Sequence, residues 1–330
     1  LFIKFTTYIK TFFAYIYYST YERRRTNLYE WNEAVQKMIY WLEDKLHDNP
    51  SLLDMSEQIG YSPYYCSTKF HEIVGMTFKS YIAGRRLAKA TLEIRDTNER
   101  ILDIAIKNGY SSQEALTRAF VNAYGCTPAV YRRKPIPIAL SNIQVVLHPE
   151  YYNKGEKTLS KTCLKNAEVR MEYLPAHKYI GIWSDEANGY GNFWNKHNCD
   201  EVCGIIESMR HLSDPVIGCH MAGWHYVNGA RKYFYGFGVS HDYEGDIPQG
   251  FAIKEFPASY YLVFFHPSFD YLKDNGEVMK QVENLAWNYD IEAEGFNNQK
   301  YLWNEEVCQD YQRHYPEVLG YEVLRPVKRK

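Results

Sequence analysis

Ser240, His241 and Asp242 are the residues of this sequence whose types most resemble a hydrolytic triad. They are consecutive, and neighbouring side chains of a strand point to opposite faces of the sheet. The three side chains therefore cannot form a relay of nucleophile, base and acid directly. The sequence also contains no Gly-x-Ser-x-Gly elbow, no glycine-rich phosphate loop and no His-Glu-x-x-His motif. These patterns predict that the protein is not an enzyme.

Cys199 and Cys203 lie four residues apart and would share one face of a helix. With His197 and His211 nearby they could be taken for a metal cluster, but the spacing lacks the paired-ligand form of zinc sites. We therefore predict no metal site and no cofactor. The seven cysteines are an odd number, and the sequence has no convincing signal peptide. Both features favour free thiols in a cytoplasmic protein.

The stretch from residue 101 to residue 133 has the pattern of two short helices joined by a tight turn. Gly109 is the expected left-handed cap of the first helix, and Ser111 or Ser112 can cap the second. One face of the second helix is apolar, at Leu116, Ala119, Phe120 and Ala123. Glu114, Thr117, Arg118 and Val121 lie on the opposite face, and Gln113 lies at the exposed N-terminal end. This pattern predicts a helix-turn-helix, whose second helix can enter a DNA major groove.

The same pattern occurs earlier in the chain, at an offset of fifty residues. The glycine, threonine and tyrosine at 75, 77 and 81 match those at 125, 127 and 131, and Phe70 matches Phe120. Gly60-Tyr61-Ser62 likewise matches Gly109-Tyr110-Ser111, with a shift of one residue. A solenoid of paired helices is the alternative, but solenoids need about three or more copies. The duplication therefore favours two linked helix-turn-helix units, which could place two reading helices about 34 Å apart on DNA.

This double motif resembles the DNA-binding domain of the AraC/XylS family of transcription regulators, over roughly Tyr29 to Pro135. The resemblance is carried by three segments, Ile104-Ala105-x-x-x-Gly109-Tyr110-x-Ser112, Thr117-Arg118-x-Phe120 and Gly125-x-Thr127-Pro128-x-x-Tyr131-Arg132. It implies that matching positions of the two reading helices contact base edges. In this sequence those positions are Tyr64, Ser67 and Thr68, then Gln113, Glu114, Thr117 and Arg118.

The residue types at these positions suggest what each would read. Gln113 can pair bidentately with adenine, and Arg118 with guanine or with phosphate. Thr68 stands where members of the family that this domain resembles often have arginine. Glu114 replaces a residue that is often neutral, and it would meet phosphate unfavourably unless it accepts a hydrogen bond from cytosine. We therefore expect an operator different from those of these relatives.

The charge of the chain is near neutral, at −2, but its two halves differ. Residues 136–330 carry 26 acidic and 19 basic side chains, whereas residues 29–135 carry 13 and 14. Because affinity for nucleic acid comes largely from phosphate contacts, the acidic half is a poor candidate for binding it. The basic residues of the first half cluster at Arg85, Arg86, Lys89, Arg95, Arg100, Arg118 and 132–134.

Composition along the chain predicts the domain boundaries. Residues 1–28 are apolar and aromatic, then basic, and Lys4 and Lys10 interrupt what would have to be a membrane helix. We interpret them as an extension outside the folded domain, with a membrane anchor as the alternative. Residues 29–135 form the DNA-binding domain, which Pro135 and Pro137 end. Residues 136–167 are interpreted as a linker that begins with a short β-like run, Ile143 to Leu147.

A second duplication, at an offset of 82, begins near residue 168. Glu172-Tyr173-Leu174-Pro175-Ala176 parallels Lys254-Glu255-Phe256-Pro257-Ala258. Each copy continues into a helical run, Phe193 to Met209 and Tyr271 to Trp287, and then returns to strands. The predicted strands are Val216–Val227 and Tyr233–His241 in the first copy, and Gln299–Trp303 and Tyr321–Val327 in the second. A strand, helix, strand, strand pattern repeated twice predicts an α+β domain with pseudo-twofold symmetry. The predicted fold is therefore multidomain, with an all-α double helix-turn-helix domain before this α+β domain.

Residues 168–328 resemble the GyrI-like effector-binding domain. The resemblance is carried by the two Pro-Ala pairs, by Phe237-Gly238 and by the closing run from Gly320 to Val327. It implies a pocket between the two repeats, in which aromatic rings and a carboxylate hold a cationic, amphipathic molecule. The implied ligand-binding residues are Trp183, Trp224, Tyr235, Phe237, Phe264, Tyr301 and Glu322. Many members of that family have a second acid just before the position of Tyr301, where this sequence has Gln299 and Lys300.

The sequence therefore predicts a cytoplasmic, sequence-specific transcription regulator that binds double-stranded DNA and a small effector. RNA polymerase is an expected partner and a membrane is not. Two alternatives stay open, a protein that sequesters drugs or toxins and a small-molecule hydrolase. Sequestration would require tight ligand binding with unchanged DNA affinity, and hydrolysis would require turnover that is lost in Glu322→Gln.

Overall fold

The structure is a computed structural model that describes residues 31–148, 166–218, 221–307, 309–316, 318 and 320–330. The predicted extension 1–28 and the greater part of the predicted linker lie outside the described residues. The described residues form two compact units. The first comprises 31–86, 107–109 and 143–148, and the second comprises 87–106, 110–142 and the remainder of the chain.

The first unit is helical and contains the first helix-turn-helix. Residues 31–45 form α1, followed by α2 (Leu52–Ile59), α3 (Pro63–Val74) and the first half of α4 (Phe78–Asp96). Ser51 and Asp54 form a reciprocal capping box at the start of α2, and Gly60 ends that helix at φ +83°, where glycine is favoured. The buried core comprises Val35, Met38, Ile39, Leu42, Leu46, Met55, Cys66, Phe70 and Tyr81.

The second unit begins with the second helix-turn-helix, and its local structure repeats that of the first. The second half of α4 is followed by α5 (Ile101–Lys107), α6 (Gln113–Tyr124) and α7 (Pro128–Arg133). The ring centroids of Phe70 and Tyr81 lie 5.6 Å apart, and those of Phe120 and Tyr131 lie 5.5 Å apart. The predicted duplication at an offset of fifty therefore corresponds to equivalent core packing.

The C-terminal part of the second unit is an antiparallel sheet with helices. Its helices are α8 (Tyr190–Trp194), α9 (Cys199–Met209), α10 (Tyr271–Asn288) and α11 (Ile291–Glu294). Its strands are β1 (Glu168–Leu174), β2 (His177–Trp183), β3 (Met221–Val227), β4 (Ala230–Ser240), β5 (Ala252–Phe256), β6 (Ser259–His266), β7 (Tyr301–Trp303), β8 (Gln309–Tyr315) and β9 (Gly320–Arg329). Among the described residues these strands form one sheet in the order β1-β6-β9-β8-β3-β4-β2-β5, and β7 pairs with β9.

The two Pro-Ala pairs join strands that are far apart in the sheet. Pro175-Ala176 connects β1, which pairs with β6, to β2, which pairs with β4 and β5. Pro257-Ala258 connects β5 to β6 in the same manner. Each pair therefore carries the chain from one half of the sheet to the other instead of forming a hairpin.

The two faces of the sheet pack differently. One face, which includes Trp224, Tyr233, Tyr321 and Val323, packs with Val278, Val282 and Ala286 of α10. The opposite face carries a second aromatic core, with Tyr179, Phe234, Tyr261, Tyr311 and Leu324. Since side chains alternate along a strand, successive residues of β9 belong to different cores.

Several predicted elements differ from the structure. The predicted helical run from Phe193 to Met209 is two helices, because Asn198 interrupts it and caps α9. Residues 143–147 are not a strand, and the N–H of Val146 instead donates to the side chain of Gln36 at 2.8 Å. The prediction missed β8, whose sequence QDYQRHY is too polar to suggest a buried strand.

Candidate nucleic-acid interface and ligand cleft

The N-terminal half of α3 presents polar and aromatic side chains to solvent. Ser62 caps this helix by accepting from the N–H of Tyr65, and Pro63 occupies its first turn. Of the predicted readers on this helix, Tyr64 is 76% exposed, Ser67 is exposed and Thr68 is half-buried. The structure therefore leaves two of the three predicted readers of α3 fully accessible.

An aromatic patch next to these readers was not anticipated from the sequence. Tyr65 is exposed and stacks with Trp31 at 6.4 Å between ring centroids, and Tyr61 lies 4.6 Å from Trp31. The ammonium group of Lys69 lies 5.8 Å from the centre of the Trp31 ring. Trp31 is about thirty residues from α3 in the sequence, so only the tertiary contact links it to the reading helix.

The second helix of the second helix-turn-helix, α6, begins with a polar end that its cap organises. Ser112 accepts from the N–H of Ala115, and Gln113, Glu114 and Arg118 are exposed while Thr117 is half-buried. A hydrogen bond from Ser112 lowers the pKa of Glu114, with a smaller contribution from the charge of Arg118. Glu114 is therefore a fixed negative charge beside the guanidinium that is predicted to meet DNA.

Two arginines of the basic cluster are bound within the first unit. Arg85 forms two hydrogen bonds with the carboxylate of Glu43, at 2.7 and 3.0 Å, and both side chains are nearly buried. Arg86 donates to the carbonyl of Leu46 at 2.7 Å. Both side chains therefore connect α4 to α1 and to the residue that follows it.

Two further arginines of the cluster are bound within the second unit. Arg95 donates to the carbonyls of Glu207 and Ser208 at 3.0 and 2.7 Å, and Arg132 donates to the carbonyl of Ile94 at 3.0 Å. The exposed basic side chains of the helical region include Lys79, Arg118 and Arg133. The positive surface is therefore smaller than the sequence suggested.

A cleft of about 560 Å³ opens in the C-terminal part of the second unit. It is bounded by the residues just before and at the start of α8, by one face of α10, and by the central strands β3 and β8. The lining side chains include Asn188, Tyr190, Trp224, Arg231, Met279, Glu283, Trp287 and Gln312. This size and mixture of rings and polar groups suit a small amphipathic molecule.

Charges of both signs lie at this cleft. Glu283 accepts a hydrogen bond from the phenol of Tyr321 at 2.7 Å. Burial, with the nearby charge of Glu283, raises the pKa of Tyr321 well above its ordinary value, so the phenol stays a donor. The guanidinium of Arg231 lies 4.0 Å from the centre of the Trp287 ring. The cleft therefore offers a half-buried carboxylate between aromatic walls, with a cation already placed over one ring.

Glu322, the carboxylate predicted to bind a ligand, lies away from this cleft. Its side chain is on the opposite face of β9 from Tyr321, and it meets Arg170 at 2.8 Å and Arg313 at 3.4 Å. Arg313 also pairs with Glu172 at 2.8 Å, and that pairing, acting against burial, lowers the pKa of Glu172. The charge of Glu322 is therefore paired with two arginines in a network of four charged side chains.

Of the predicted aromatic ligand residues, Trp224 lines the cleft. Phe237 and Phe264 are fully buried in core clusters, and Tyr301 donates to Gln299 at 2.9 Å. Trp183 stacks on Phe234 on the other face of the sheet, and Tyr235 packs against Trp194. These five residues do not line the cleft, whereas Tyr190, Trp287 and Glu283 do.

The structure describes two further features relevant to function. The Sγ atoms of Cys199 and Cys203 are 3.7 Å apart, but no group of three or more potential metal ligands occurs among the described residues. No helix in the described ranges is long and apolar enough to cross a membrane.

Comparisons with known proteins agree with the helical geometry. Residues 55–134 match the helix-turn-helix domain family. The chain is 36% identical over 103 residues to the TetD protein of transposon Tn10 from Escherichia coli, covering 31% of this chain and 75% of TetD. It is 31% identical over 113 residues to the transcriptional activator AarP of Providencia stuartii, covering 34% of this chain and 82% of AarP.

A third relative shows the limit of these matches. The right origin-binding protein of Escherichia coli K12 is 37% identical over 101 residues, which is 31% of this chain and about a third (35%) of that protein. The paired helices, their exposed polar ends and these matches define a helix-turn-helix DNA-binding transcription regulator. The chain belongs to the AraC family of such regulators.

Proposed function

We propose that this protein regulates transcription by reading a specific DNA sequence through α3 and α6. The observation that carries the proposal is the presence of two matching helix-turn-helix units with exposed polar side chains at the start of each second helix. Tyr64 and Ser67 on α3, and Gln113, Glu114 and Arg118 on α6, are the accessible readers. Binding to RNA polymerase remains a prediction.

Sequence-selective DNA binding is tested by selecting duplexes from a randomised pool with the full chain. The affinity for the selected duplex and for a scrambled duplex is then measured by fluorescence anisotropy at two salt concentrations. Because one bidentate base contact contributes about 1–3 kcal/mol, we expect at least about tenfold discrimination. Equal affinities for the two duplexes would contradict selective reading.

We further infer that the C-terminal sheet domain is a pseudo-twofold, GyrI-like effector domain. Its strand order supports this, because β1, β6, β9 and β8 on one side have counterparts in β5, β2, β4 and β3 on the other. Gly223 and Tyr311 pair at the centre of the β3–β8 ladder, and Trp224 and Gln312 lie at equivalent positions beside them. The cleft, which both of these residues line, would therefore lie between the two halves.

The ligand that fits the cleft best is an aromatic organic cation. Glu283 supplies the carboxylate, and Trp224 and Tyr190 supply rings, each of which can add about 0.5–2 kcal/mol of cation–π attraction. The ring of Trp287 also lines the cleft but already carries the guanidinium of Arg231. The cleft falls within the range of about 300–1,000 Å³ typical of small-molecule sites. Glu283 replaces Glu322 in this role because Glu322 is already paired with two arginines.

Titration of the full chain with lipophilic cations tests the ligand. Tryptophan fluorescence is followed, since Trp224 and Trp287 line the cleft, and Glu283→Gln is compared with the control Glu277→Gln on the same helix. We expect the cation to quench the fluorescence of the wild type. The affinity obtained from the titration should fall at least about tenfold in Glu283→Gln and not in Glu277→Gln, because a charge-assisted contact is lost. Equal quenching in both variants would exclude Glu283 as the counter-ion.

The same titration, repeated with DNA, separates regulation from sequestration. A ligand that changes affinity for the selected duplex acts as an effector. Tight binding that leaves DNA affinity unchanged would favour a sequestering protein instead.

A further inference from the structure

Two cysteines lie in contact at the start of α9, outside the cleft and the reading helices. Cys199 is the first residue of the helix and is exposed, whereas Cys203, one turn later, is half-buried. Their Sγ atoms are 3.7 Å apart, and Sγ of Cys203 also lies 4.0 Å from the hydroxyl of Tyr235. The pair therefore combines one accessible thiol with a second thiol directly behind it.

The pKa values of the two thiols are shifted in opposite directions. A hydrogen bond between the sulfur atoms lowers the pKa of Cys199, and the same contact together with burial raises the pKa of Cys203. The thiolate is the nucleophilic form, and the free N–H groups at a helix N-terminus also favour a negative charge. Cys199 is thus suited to attack an electrophile, and Cys203 is suited to resolve the product.

Helix geometry permits a bond between them with a limited change. Residues four apart in a helix have Cα atoms about 6 Å apart, within the range of about 4.4–6.8 Å found across disulfides. The Cβ atoms must approach further, which requires the first turn of α9 to adjust. Because Cys199 is the first residue of α9, the adjustment can remain within that turn and its Asn198 cap.

The first turn of α9 also contacts segment 138–142, which follows the second helix-turn-helix. Asn142 donates to the carbonyl of Asp200 at 3.1 Å, and the N–H of Ile138 donates to Ser208 at 3.0 Å. Between them, the backbone of Leu140 contacts Gly204 so closely that a Cβ there would clash. Segment 138–142 therefore lies along α9, with one attachment in the turn that carries the cysteines.

We propose that Cys199 and Cys203 are a dithiol that hydroperoxides oxidise reversibly to a disulfide, loosening the attachment of segment 138–142 to α9. The Cys199 thiolate attacks the peroxide, the O–O bond breaks, and an alcohol or water leaves while Cys199 becomes a sulfenic acid. The Cys203 sulfur then attacks that sulfur, and the displaced hydroxide takes the thiol proton as water. The sum is two thiols and a hydroperoxide giving one disulfide, an alcohol or water, and one further water.

Mass spectrometry of the full chain tests the chemistry. Trypsin cleavage after Lys196 and Arg210 yields one peptide, His197–Arg210, that contains these two cysteines and no others. After hydrogen peroxide treatment, we expect this peptide to lose two hydrogen masses and to resist alkylation until a dithiol reductant is added. Cys203→Ser should stop at a sulfenic acid that dimedone traps on Cys199, and the control Cys126→Ser should behave as wild type. Wild-type Cys199 should react at least about tenfold faster than Cys126, because its thiolate is favoured.

Two outcomes would overturn this chemistry, namely oxidation of Cys199 no faster than that of Cys126, or over-oxidation of Cys199 without a disulfide. The link to the helical unit has its own readout, which rests on the proposed DNA binding. We expect the affinity for a selected duplex to change at least threefold (about 0.65 kcal/mol) on oxidation in wild type and not in Cys203→Ser. A disulfide with equal DNA affinities would refute the link alone, and absence of any selective DNA binding would instead refute the proposed function.

Discussion

Tyr321 donates its phenol hydrogen to Glu283 over 2.7 Å and thereby connects the last strand of the sheet to the long helix α10. Tyr321 is fully buried, whereas Glu283 is half-buried at the ligand cleft. The strand thus orients a carboxylate whose other side faces the cleft. The contact links the stability of the domain to the geometry of its candidate binding site.

We expect Tyr321→Phe to lower the free energy of unfolding by about 1–2 kcal/mol, because a hydrogen bond to a charged group is lost. The loss is limited because Glu283 is half-buried and water can replace the phenol. Urea denaturation of the full chain measures this change. Tyr260→Phe is the control, because its hydroxyl belongs to an exposed side chain and should cost less than about 0.5 kcal/mol. Equal losses in the two variants would mean that the contact with Glu283 contributes nothing.

Glu322→Gln should affect stability and not ligand binding. Removing its charge leaves Arg170 and Arg313 incompletely paired, and breaking such a buried network costs about 2–4 kcal/mol. Urea denaturation and cation titration of the same protein give both quantities. A large loss of cation affinity with unchanged stability would return the ligand site to Glu322.

Glu114→Gln should tighten binding to DNA of any sequence and weaken discrimination between sequences. The fixed carboxylate repels phosphate, so its removal improves non-specific affinity, while the loss of a cytosine acceptor costs about 1–3 kcal/mol of selectivity. Anisotropy with selected and scrambled duplexes measures both effects. The control is Glu57→Gln, an exposed glutamate of α2. If the two variants behave alike, Glu114 is a general charge and not a reader.

Arg95→Met should destabilise the second unit by about 2 kcal/mol or more. The guanidinium donates to two carbonyls at the end of α9, and methionine retains much of the side-chain packing without any donor. Thermal and urea unfolding report the loss, with the exposed Arg133→Met as the matched control. A neutral result would show that water replaces the guanidinium at these carbonyls.

Asp310 should make the stability of the protein fall as pH rises from about 4 to about 6. Burial raises the pKa of Asp310 from 3.8 to about 6, despite the opposing charge of Arg325 and a hydrogen bond from Tyr226. Between these values the folded protein binds the proton more tightly than the unfolded chain does, so the stabilisation is present at low pH and is lost above pH 6. Relative to Asp310→Asn, wild type should lose about 2–3 kcal/mol between pH 4 and pH 7.

The pH dependence of wild type must be compared with that of Asp310→Asn, because His314 changes stability in the opposite direction over the same pH range. Burial lowers the pKa of His314 to about 4, so its contribution is lost as pH falls from 6.5. The exposed Asp200→Asn should retain the pH dependence of wild type. Parallel curves for wild type and Asp310→Asn would mean that Asp310 stays ionised in the folded protein.

The helix-turn-helix units could be predicted because their signals are local. Ser62 and Ser112 cap helices that start at the next residue, and Gly60 and Gly125 end helices at positive φ. Capping and apolar spacing act over about ten residues, so the sequence alone contains the whole interaction. On α6 the predicted apolar face is buried at Leu116 and Phe120, whereas Ala123, which was predicted to share that face, is exposed.

The Pro-Ala pairs at 175 and 257 likewise predicted two copies of one strand unit, and each pair lies between two strands. They did not reveal that the first strand of each copy pairs with the other half of the sheet. The polar strand β8 was missed because its burial comes from neighbours on both sides in the sheet, not from its own hydrophobicity.

The sequence by itself thus determined the class of protein and the two helix-turn-helix units, and it predicted a domain of strands and helices after them. Only the tertiary structure decided which charges remain available for function. Arg170 meets Glu322 across 152 positions of sequence, and Arg95 meets Ser208 across 113. A carboxylate or guanidinium has the same appearance in a sequence whether it is bound or exposed, and its partner depends on strand pairing and helix docking that no local pattern encodes.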